Sequence, residues 1–258
     1  FSTLALHPAL LENLTSMNYQ AMTPIQEKSL PLIIEGKDVI GQAKTGSGKT
    51  AAFGLGLLNK LNVKQFRVQS IVLCPTRELA DQVAKEIRSL ARRVHNIKVL
   101  TLCGGVTFGP QKGSLEHGAH IVVGTPGRIE EHLRKKNLSL EHVTTFILDE
   151  ADRMLDMGFH DAIDKINGYL PDRRQTLLFS ATFPGDIEHL SKRLMRRPTR
   201  VEVDSHHDTT SIQQILYEIP EKGARSEALL ALLQHHQPVS SLVFCNTKLL
   251  TEEVAATL

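Results

Sequence analysis

The chain has 258 residues, of which 41% are hydrophobic, and its formal net charge is +2. This length exceeds one typical domain and supports a sizeable buried core. The weak charge permits an RNA or DNA partner without indicating one, and a membrane-spanning helix is excluded because no apolar run reaches about 18 residues.

The predicted elements begin with short helices over residues 1 to 36, one of which opens at Pro24 with Thr23 as its N-cap. From Lys37 onward, apolar strands alternate with amphipathic helices, which predicts a doubly wound α/β domain with a mostly parallel sheet. The predicted strands start at Val39 and cover Ser70 to Cys74, Val99 to Leu102, His120 to Val123, Thr145 to Leu148, Gln175 to Phe179 and Arg200 to Val203.

The apolar pattern stops near residue 204, which predicts a first domain over residues 1–204 and a linker over residues 205–211. Residues 212–258 then predict the first part of a second α/β domain. Its expected strands are 212–219 and 241–245, and its expected helices are 226–235 and 247–258. These elements are too few to close a sheet, so we expect the second domain to be incomplete.

The three cysteines, Cys74, Cys103 and Cys245, follow apolar runs and lack the spacing of a metal site. This pattern predicts buried, reduced thiols, and it fits a protein of the cytoplasm. Residues 1 to 19 lack the basic and then apolar pattern of a signal peptide.

A glycine-rich segment follows the first predicted strand and has the sequence Ala43-Lys44-Thr45-Gly46-Ser47-Gly48-Lys49-Thr50. A strand, such a loop and a helix together are typical of a phosphate-binding loop, whose N–H groups point at phosphate oxygens. Lys49 is expected to reach the β- and γ-phosphates, and the Thr50 hydroxyl to bind Mg²⁺. A plain glycine-rich turn is the alternative.

A second acidic motif, Asp149-Glu150-Ala151-Asp152, follows the apolar strand that ends at Leu148. Carboxylates at the end of a core strand, near a phosphate loop, suit a Mg²⁺ site. Asp149 is expected to bind the metal through water, and Glu150 to orient or deprotonate the attacking water. The same carboxylates also suit a helix N-terminus, and the two roles are compatible.

These motifs, together with Pro75 to Ala80, Gly104-Gly105, Thr125 to Arg128 and Ser180 to Thr182, resemble the DEAD-box family of ATP-dependent RNA helicases in their order and spacing. Three segments, Phe53 to Leu58, Leu73 to Val83 and Asp152 to Phe159, are most similar to its bacterial DbpA branch. The resemblance implies a RecA-like P-loop domain followed by the start of a second one. It also implies ATP and Mg²⁺ as cofactors and RNA, in particular ribosomal RNA, as the partner of a monomer.

The resemblance also implies which residues bind the base of ATP. Gln26 is expected to read the adenine edge, with Thr23 in the same segment, while Tyr19 and Phe1 stack on the ring. The family usually has glycine before this aromatic residue, whereas Asn18 stands here and tolerates the same backbone angles. A core or capping role is the alternative for Gln26.

Three loops are expected to bind RNA through its sugar–phosphate backbone: Pro75-Thr76-Arg77, Gly104-Gly105 and Thr125-Pro126-Gly127-Arg128. For Thr125-Pro126 alone, a simple helix N-cap is the alternative. The hydroxyls of Ser180 and Thr182 are expected to bond Asp152 and so couple the ATP and RNA sites.

The function implied by the resemblance is an RNA-stimulated ATPase that clamps and locally unwinds short RNA duplexes, with a role in ribosome assembly. Phe244-Cys245-Asn246-Thr247 resembles the first motif of the family's second domain. The arginines that contact the γ-phosphate from that domain do not occur in these residues, so we expect the chain alone to bind nucleotide and hydrolyse it poorly. The alternatives are an ATP-gated RNA clamp and a DNA helicase.

Overall fold

The computed structural model describes residues 1–203, 213–219 and 224–258. The chain divides into two compact units, Phe1–Ser205 and His206–Leu258. The predicted linker, residues 205–211, lies outside the described residues.

A parallel sheet organises the first unit. Its strand order is β3-β4-β2-β5-β6-β1-β7, and every neighbouring pair is parallel. The strands are β1 (Val39–Gln42), β2 (Ser70–Leu73), β3 (Val99–Leu102), β4 (Ile121–Gly124), β5 (Thr145–Leu148), β6 (Gln175–Ser180) and β7 (Thr199–Glu202).

Helices connect successive strands, as parallel pairing requires. Those of the first unit are α1 (Pro8–Ser16), α2 (Pro24–Ile34), α3 (Lys49–Lys60), α4 (Arg77–Leu90), α5 (Phe108–Glu116), α6 (Pro126–Arg134), α7 (Ala151–Asp156), α8 (His160–Gly168) and α9 (Gly185–Leu194). The second unit contains α10 (Arg225–His236) and α11 (Lys248–Thr257).

Two hydrophobic cores cover the two faces of the sheet, because successive strand residues point to opposite sides. On β2, Val72 joins the core formed with α1 to α4, while Ile71 and Leu73 join the core formed with α6 to α9. The prediction of a doubly wound α/β domain is therefore confirmed.

The amino ends of the strands are fixed by buried polar groups. The Asp38 carboxylate accepts hydrogen bonds from the backbone N–H groups of Thr176, at 2.8 Å, and Arg196, at 2.7 Å. At the other edge of the sheet, the loops that leave the carboxyl ends contain the motifs singled out in the sequence. A parallel sheet places all these ends along one edge.

Four strand predictions differ from the structure by one residue at an end or at both: β2 ends at Leu73 rather than Cys74, and β6 ends at Ser180 rather than Phe179. β4 begins at Ile121 rather than His120, and β7 covers Thr199–Glu202 rather than Arg200 to Val203. His120 is buried before the strand, where its Nδ1 accepts from the Lys98 N–H at 3.1 Å.

The prediction of two strands in the second unit was wrong, as far as the described residues show. Residues 213–219 and 241–245 form no strand, although both helices are present. A strand needs a neighbour for its N–H and C=O groups, and no described residue pairs with either segment. Local alternation of apolar residues cannot supply that neighbour.

Among the helices that the structure describes, none combines the length and the apolar character needed to cross a membrane.

Candidate nucleotide site and nucleic-acid interface

The glycine-rich segment forms the turn between β1 and α3. Gly48 is the N-cap of α3 and has φ +92°, a left-handed angle that suits glycine. Lys49 is buried at the first helical position, and its Nζ donates to the Ala43 carbonyl at 3.0 Å. The loop therefore curls around its own lysine.

This loop and the acidic motif after β5 share one cavity of about 180 Å³. The two strands are separated by β6, so the sheet order brings together segments about a hundred residues apart in the sequence. The cavity is lined by Thr45, Gly46, Gly48, Lys49, Thr50, Leu79, Gln82, Glu86, Asp149 and Glu150.

The two acidic residues of this cavity differ in their surroundings. Burial raises the pKa of Asp149 to about 6, although the nearby Lys49 ammonium opposes the shift. Glu150 has φ +53° and ψ +53°, a left-handed conformation that costs of order 1–3 kcal/mol at a residue other than glycine. Its carboxylate accepts from the Thr45 hydroxyl at 3.0 Å and pairs with Arg153 at 3.1 Å, so both oxygens are held.

Gln26 joins the predicted adenine-reading segment to the phosphate loop. Its Oε1 accepts from the Thr23 backbone N–H at 3.0 Å, and its Nε2 donates to the Gly48 carbonyl at 3.1 Å. The Thr23 hydroxyl is buried and has no hydrogen-bond partner among the described residues. Gln26 is thus anchored by a helix N-terminus and oriented towards the loop.

Phe1 and Tyr19 lie edge to face, with ring centroids 6.2 Å apart. They border a separate cavity of about 410 Å³. Burial, followed by the negative charge of Glu86, raises the pKa of the Tyr19 hydroxyl. Asn18 has φ +60°, the angle anticipated for the position where the family has glycine.

The three loops predicted to bind RNA lie next to one another. A side-chain carbon added at Gly105 would meet the Arg77 guanidinium at 2.5 Å, so this arginine covers Gly105, whereas one added at Gly104 would meet nothing within 4 Å. Both terminal nitrogens of Arg128 donate to the Val106 carbonyl, at 3.1 and 3.2 Å. Pro75 and Thr76 follow β2, Gly104 follows β3, and Thr125, Pro126 and Gly127 follow β4.

The two threonines of these loops are not equivalent. The Thr76 hydroxyl accepts from the Leu79 N–H at 3.3 Å and so caps α4. Thr125 is the N-cap of α6 but its hydroxyl makes no capping hydrogen bond. Helix capping therefore explains the presence of a hydroxyl at Thr76, but it does not explain the hydroxyl of Thr125.

A buried cluster that the sequence did not reveal supports the glycine loop. His132 stacks on Phe108 with centroids 4.2 Å apart, and its Nε2 lies 3.2 Å from the Gln111 Oε1. Gln111 in turn donates to the Cys103 carbonyl at 2.9 Å. Burial, reinforced by the Arg128 charge, lowers the pKa of His132 to about 4. The His132 imidazole is therefore neutral, and it supports the glycine loop through Gln111.

The motif after β6 contacts the acidic motif through one of its two hydroxyls. Thr182 donates to Asp152 through both its backbone N–H and its hydroxyl, each at 2.9 Å. Burial by itself would raise the pKa of Asp152, but hydrogen bonding to its carboxylate, that from Thr182 first, outweighs burial and the pKa is lowered. The Ser180 hydroxyl is buried and helps to lower the pKa of Asp152, but no hydrogen bond of normal geometry joins the two side chains.

Three further residues of the cavity region were missed from the sequence: Gln82, Glu86 and Arg153. Gln82 and Glu86 border the apolar stripe of α4. They follow Leu79 by three and seven residues, so their side chains lie on the same side of the helix as Leu79, which also lines the cavity. Polar residues bordering an apolar stripe were the available signal. Arg153 could be recognised only as a residue one helical turn from Glu150.

Comparison with known proteins gives concordant matches. The family model "DEAD/DEAH box helicase" matches residues 23–190. The chain is 56% identical to the ATP-dependent RNA helicase DbpA of Escherichia coli over 249 residues, which are 96% of this chain and 54% of that protein. It is 43% identical to the DEAD-box ATP-dependent RNA helicase CshA of Geobacillus kaustophilus, covering 100% of this chain and 55% of that protein.

Two solved structures share the fold. A DEAD box protein from Methanococcus jannaschii superposes with a TM-score of 0.76 at 39% identity, covering 99% of this chain and 69% of that one. Saccharomyces cerevisiae Dbp5 bound to RNA and ADP BeF3 superposes with a TM-score of 0.85 at 29% identity, covering 99% and 65%. These matches confirm the RecA-like fold and the resemblance to the DbpA branch.

The chain spans about half the length of the curated relatives it matches. The family model covers well over half of its residues, and the motifs it shares lie along the carboxyl edge of one sheet. The chain belongs to the DEAD/DEAH box helicase family.

Proposed function

We propose that this chain forms the ATP-binding part of an ATP-dependent RNA helicase. The observation that carries the proposal is the shared cavity in which the phosphate loop meets Asp149 and Glu150. The names of the relatives agree with it: two are called ATP-dependent RNA helicases, and the yeast neighbour is described as bound to RNA and ADP BeF3.

The phosphates of ATP would contact the loop N–H groups, the N-terminus of α3 and the Lys49 ammonium. The adenine would meet Gln26, whose amide uses one acceptor site and one N–H in its present bonds. An amide has two of each, so Gln26 can keep both bonds and still offer one donor and one acceptor to the base. Phe1 and Tyr19 offer aromatic surface for stacking.

The side chains of the cavity also fit Mg²⁺, which prefers oxygen ligands and uses one or two carboxylates together with substrate phosphates. No described group of three or more His, Cys, Asp and Glu side chains could hold a metal by itself, which agrees with that mode of binding. Thr50 and Asp149, the latter through water, would hold the ion. Bound Mg²⁺ would neutralise phosphate charge, and its own charge would favour the ionised form of Asp149.

Hydrolysis requires a group that orients water near the γ-phosphate, and Glu150 suits this role. Thr45 and Arg153 each hold one of its oxygens, and its backbone is strained at the strand end. Such restraint reduces the reorganisation needed when the reaction occurs. Lys49 would stabilise the charge that develops on the phosphates.

RNA would cross the loops of Arg77, Gly105 and Arg128 and be bound through its sugar–phosphate backbone, which carries no base preference. Thr182 and Asp152 link the strand ends between this surface and the nucleotide cavity. We propose that ATP and single-stranded RNA jointly favour a closed state that bends one strand of a short duplex, and that hydrolysis releases it.

We further propose that residues 1–204 form the first RecA-like domain and that residues 212–258 begin a second, since Phe244 to Thr247 resembles that domain's first motif. A monomer in the cytoplasm that acts on ribosomal RNA during ribosome assembly is our proposal for the cellular role. Its support is the 56% identity to the E. coli relative.

The test measures ATP hydrolysis and duplex separation in a chimera that joins this chain to the remaining part of the E. coli relative. RNA should stimulate hydrolysis and DNA should not. Glu150→Gln should abolish hydrolysis and repeated unwinding while ATP binding persists. The chain alone should bind ATP but turn over slowly, because arginines supplied across a phosphoryl-transfer site contribute about 10³–10⁵ in rate.

Two other functions make different predictions in this experiment. An ATP-gated clamp would keep its full activity in Glu150→Gln, because hydrolysis would be incidental to it. A DNA helicase would be stimulated by DNA at least as well as by RNA. Either outcome would replace the function proposed here.

A further inference from the structure

A basic stripe, formed by Lys85, Arg88 and Arg92, lies on the solvent side of α4. Lys85 and Arg88 are one helical turn apart, and Arg92 follows four residues later, in the turn that continues the helix. All three residues are exposed, and none forms a salt bridge within the described parts of the chain. Other surface cations, such as Lys192 and Arg193, are paired with carboxylates.

Positive charge is concentrated around this stripe. Residues 85–98 contain five lysines and arginines and one acidic residue, so their formal net charge is +4, whereas that of the whole chain is +2. The acidic residue, Glu86, lies on a different side of α4, where it lines the nucleotide cavity. The weak charge of the chain as a whole therefore conceals a strongly basic surface.

Helix stability explains only part of this charge. Cations near the carboxyl end of a helix interact favourably with its dipole, and Arg88 lies in the last turn of α4. Arg88 also donates to the Val99 carbonyl at 2.9 Å, which leaves most of its five N–H groups for a ligand. Lys85 precedes the last turn and Arg92 follows the helix, and the side chains of these two make no hydrogen bond to any described residue.

The stripe lies on the same helix as one of the loops proposed to bind RNA. α4 begins at Arg77, at the carboxyl edge of the sheet, and packs beside the edge strand β3. Arg92 follows Arg77 by fifteen residues, which is about 22 Å along a helix axis. Two exposed acidic residues, Glu78 and Asp81, come between Arg77 and Lys85. The stripe is therefore a separate basic surface at a distance from the loop.

A cavity of about 310 Å³ lies at the far end of the stripe. Arg88, Arg92 and His95 contribute to its lining. A concave surface beside exposed cations can contact a phosphate group and its sugar from more than one side. Guanidinium groups suit this ligand because their planar donors match phosphate oxygens.

We propose that the basic stripe is a second contact for RNA, and that it binds the sugar–phosphate backbone beyond the segment held by the loops. This inference rests on the proposed RNA-binding function. An acidic protein segment is the other class of partner for such a surface, and the position of the stripe on the helix of Arg77 favours RNA. A strand that reaches from Arg77 to Arg92 needs about seven nucleotides, at about 3.4 Å per nucleotide.

The experiment measures the affinity of the chain for two single-stranded RNAs by fluorescence anisotropy over a range of salt concentrations. One RNA has about six nucleotides, too few to reach from the loops to the stripe, and the other has about twenty. Lys85→Gln combined with Arg92→Gln should reduce the salt dependence of binding to the longer RNA by about 1.4 in slope, and its affinity at low salt by about tenfold. Affinity for the shorter RNA should stay within about twofold of the parent's.

Two further variants separate this contact from general effects of charge. Arg173→Gln combined with Arg196→Gln removes the same charge before β6 and β7, far from β3 in the strand order, and should leave both affinities unchanged. Lys85→Arg combined with Arg92→Lys keeps the charge and should retain most of the affinity for the longer RNA. The melting temperatures of all variants should stay within a few degrees of the parent's, because the substituted residues are exposed.

The proposal is overturned if Lys85→Gln with Arg92→Gln binds the longer RNA like the parent at every salt concentration, which is also the result expected if the stripe binds an acidic protein. An equal loss in the Arg173 and Arg196 control would overturn it as well. A parent chain that binds neither RNA, even at low salt, would contradict the proposed RNA-binding function itself. The two failures are therefore distinguishable.

Discussion

The contact between Gly48 and Gln26 predicts different effects for two neighbouring glycine substitutions. Gly46 and Gly48 have similar left-handed angles, φ +82° and φ +92°. A side-chain carbon at Gly46 would meet nothing within 4 Å, whereas one at Gly48 would meet the Gln26 Nε2 at 2.5 Å and the Thr23 hydroxyl at 2.9 Å. Both substitutions therefore incur the energetic cost of a left-handed backbone, but only Gly48→Ala also creates a steric clash.

The magnitudes follow from the contacts. Alanine in the left-handed region costs about 1–2 kcal/mol at either position. At Gly48 the Gln26 amide must also move, which breaks its bonds to the Gly48 carbonyl and to the Thr23 N–H. Each such bond contributes about 1 kcal/mol. Gly48→Ala should therefore lower the free energy of unfolding by about 2 kcal/mol more than Gly46→Ala does.

Urea unfolding in the absence of nucleotide measures this difference, with Gly46→Ala as the matched control and an unchanged m-value as the check on two-state behaviour. The preference for ADP over GDP should also be smaller in Gly48→Ala, since Gln26 is displaced. Equal destabilisation by the two substitutions, with equal base preference, would show that the Gln26 contact has no energetic importance.

Three further substitutions test separate parts of the structure. Asp38→Ala should lower the free energy of unfolding by about 3 kcal/mol, because two backbone N–H groups lose a charged acceptor. Urea unfolding measures this loss, and a value below about 1 kcal/mol would contradict the role of Asp38 in fixing the strand ends. His132, whose pKa is lowered to about 4, is neutral when buried, so the unfolded chain takes up a proton that the folded chain rejects as the pH falls below about 6.5. His132 by itself should lower stability by up to about 3 kcal/mol between pH 6.5 and pH 4, while Asp149, whose pKa burial raises to about 6, contributes in the opposite direction over the same range, so the measured quantity is the difference between the pH profiles of the parent and of His132→Gln. The exposed-site control His95→Gln should keep the parent's profile, and a profile of His132→Gln that coincides with the parent's would disprove the assignment. Thr182→Val removes one of the two hydrogen bonds from Thr182 to Asp152. It should reduce the RNA stimulation of ATP hydrolysis in the chimera by about fivefold and leave the affinity for ATP unchanged. Undiminished stimulation would argue against coupling through Thr182 and Asp152.

The fold of the first unit was predictable because its five central strands are buried on both faces. Continuous apolar runs such as 146–148 and 177–179, separated by helical segments, predict strands of a parallel sheet. The second unit shows the limit of this reasoning. Residues 213–219 alternate like a strand but find no partner among the described residues, and pairing cannot be seen in one segment alone.

The site was predictable in its parts but not in their contacts. Lys49 and Glu150 could be recognised because each motif is local in sequence. The bond of Gln26 to Gly48 and the shared cavity of Glu86 and Thr50 could not, since both arise when helices pack across the fold. The same holds for Ser180, whose hydroxyl influences Asp152 without a hydrogen bond of normal geometry, because a sequence motif does not fix the direction of a hydroxyl.

We propose that one sheet edge couples an ATP cavity to an RNA surface. The most direct measurement is the affinity of the chimera for ATP with and without single-stranded RNA, beside a DNA strand of the same sequence. We expect RNA to tighten ATP binding, ATP to tighten RNA binding by the same factor, as linkage requires, and DNA to have no such effect. ATP affinity that is unaffected by RNA, or affected equally by DNA, would contradict it.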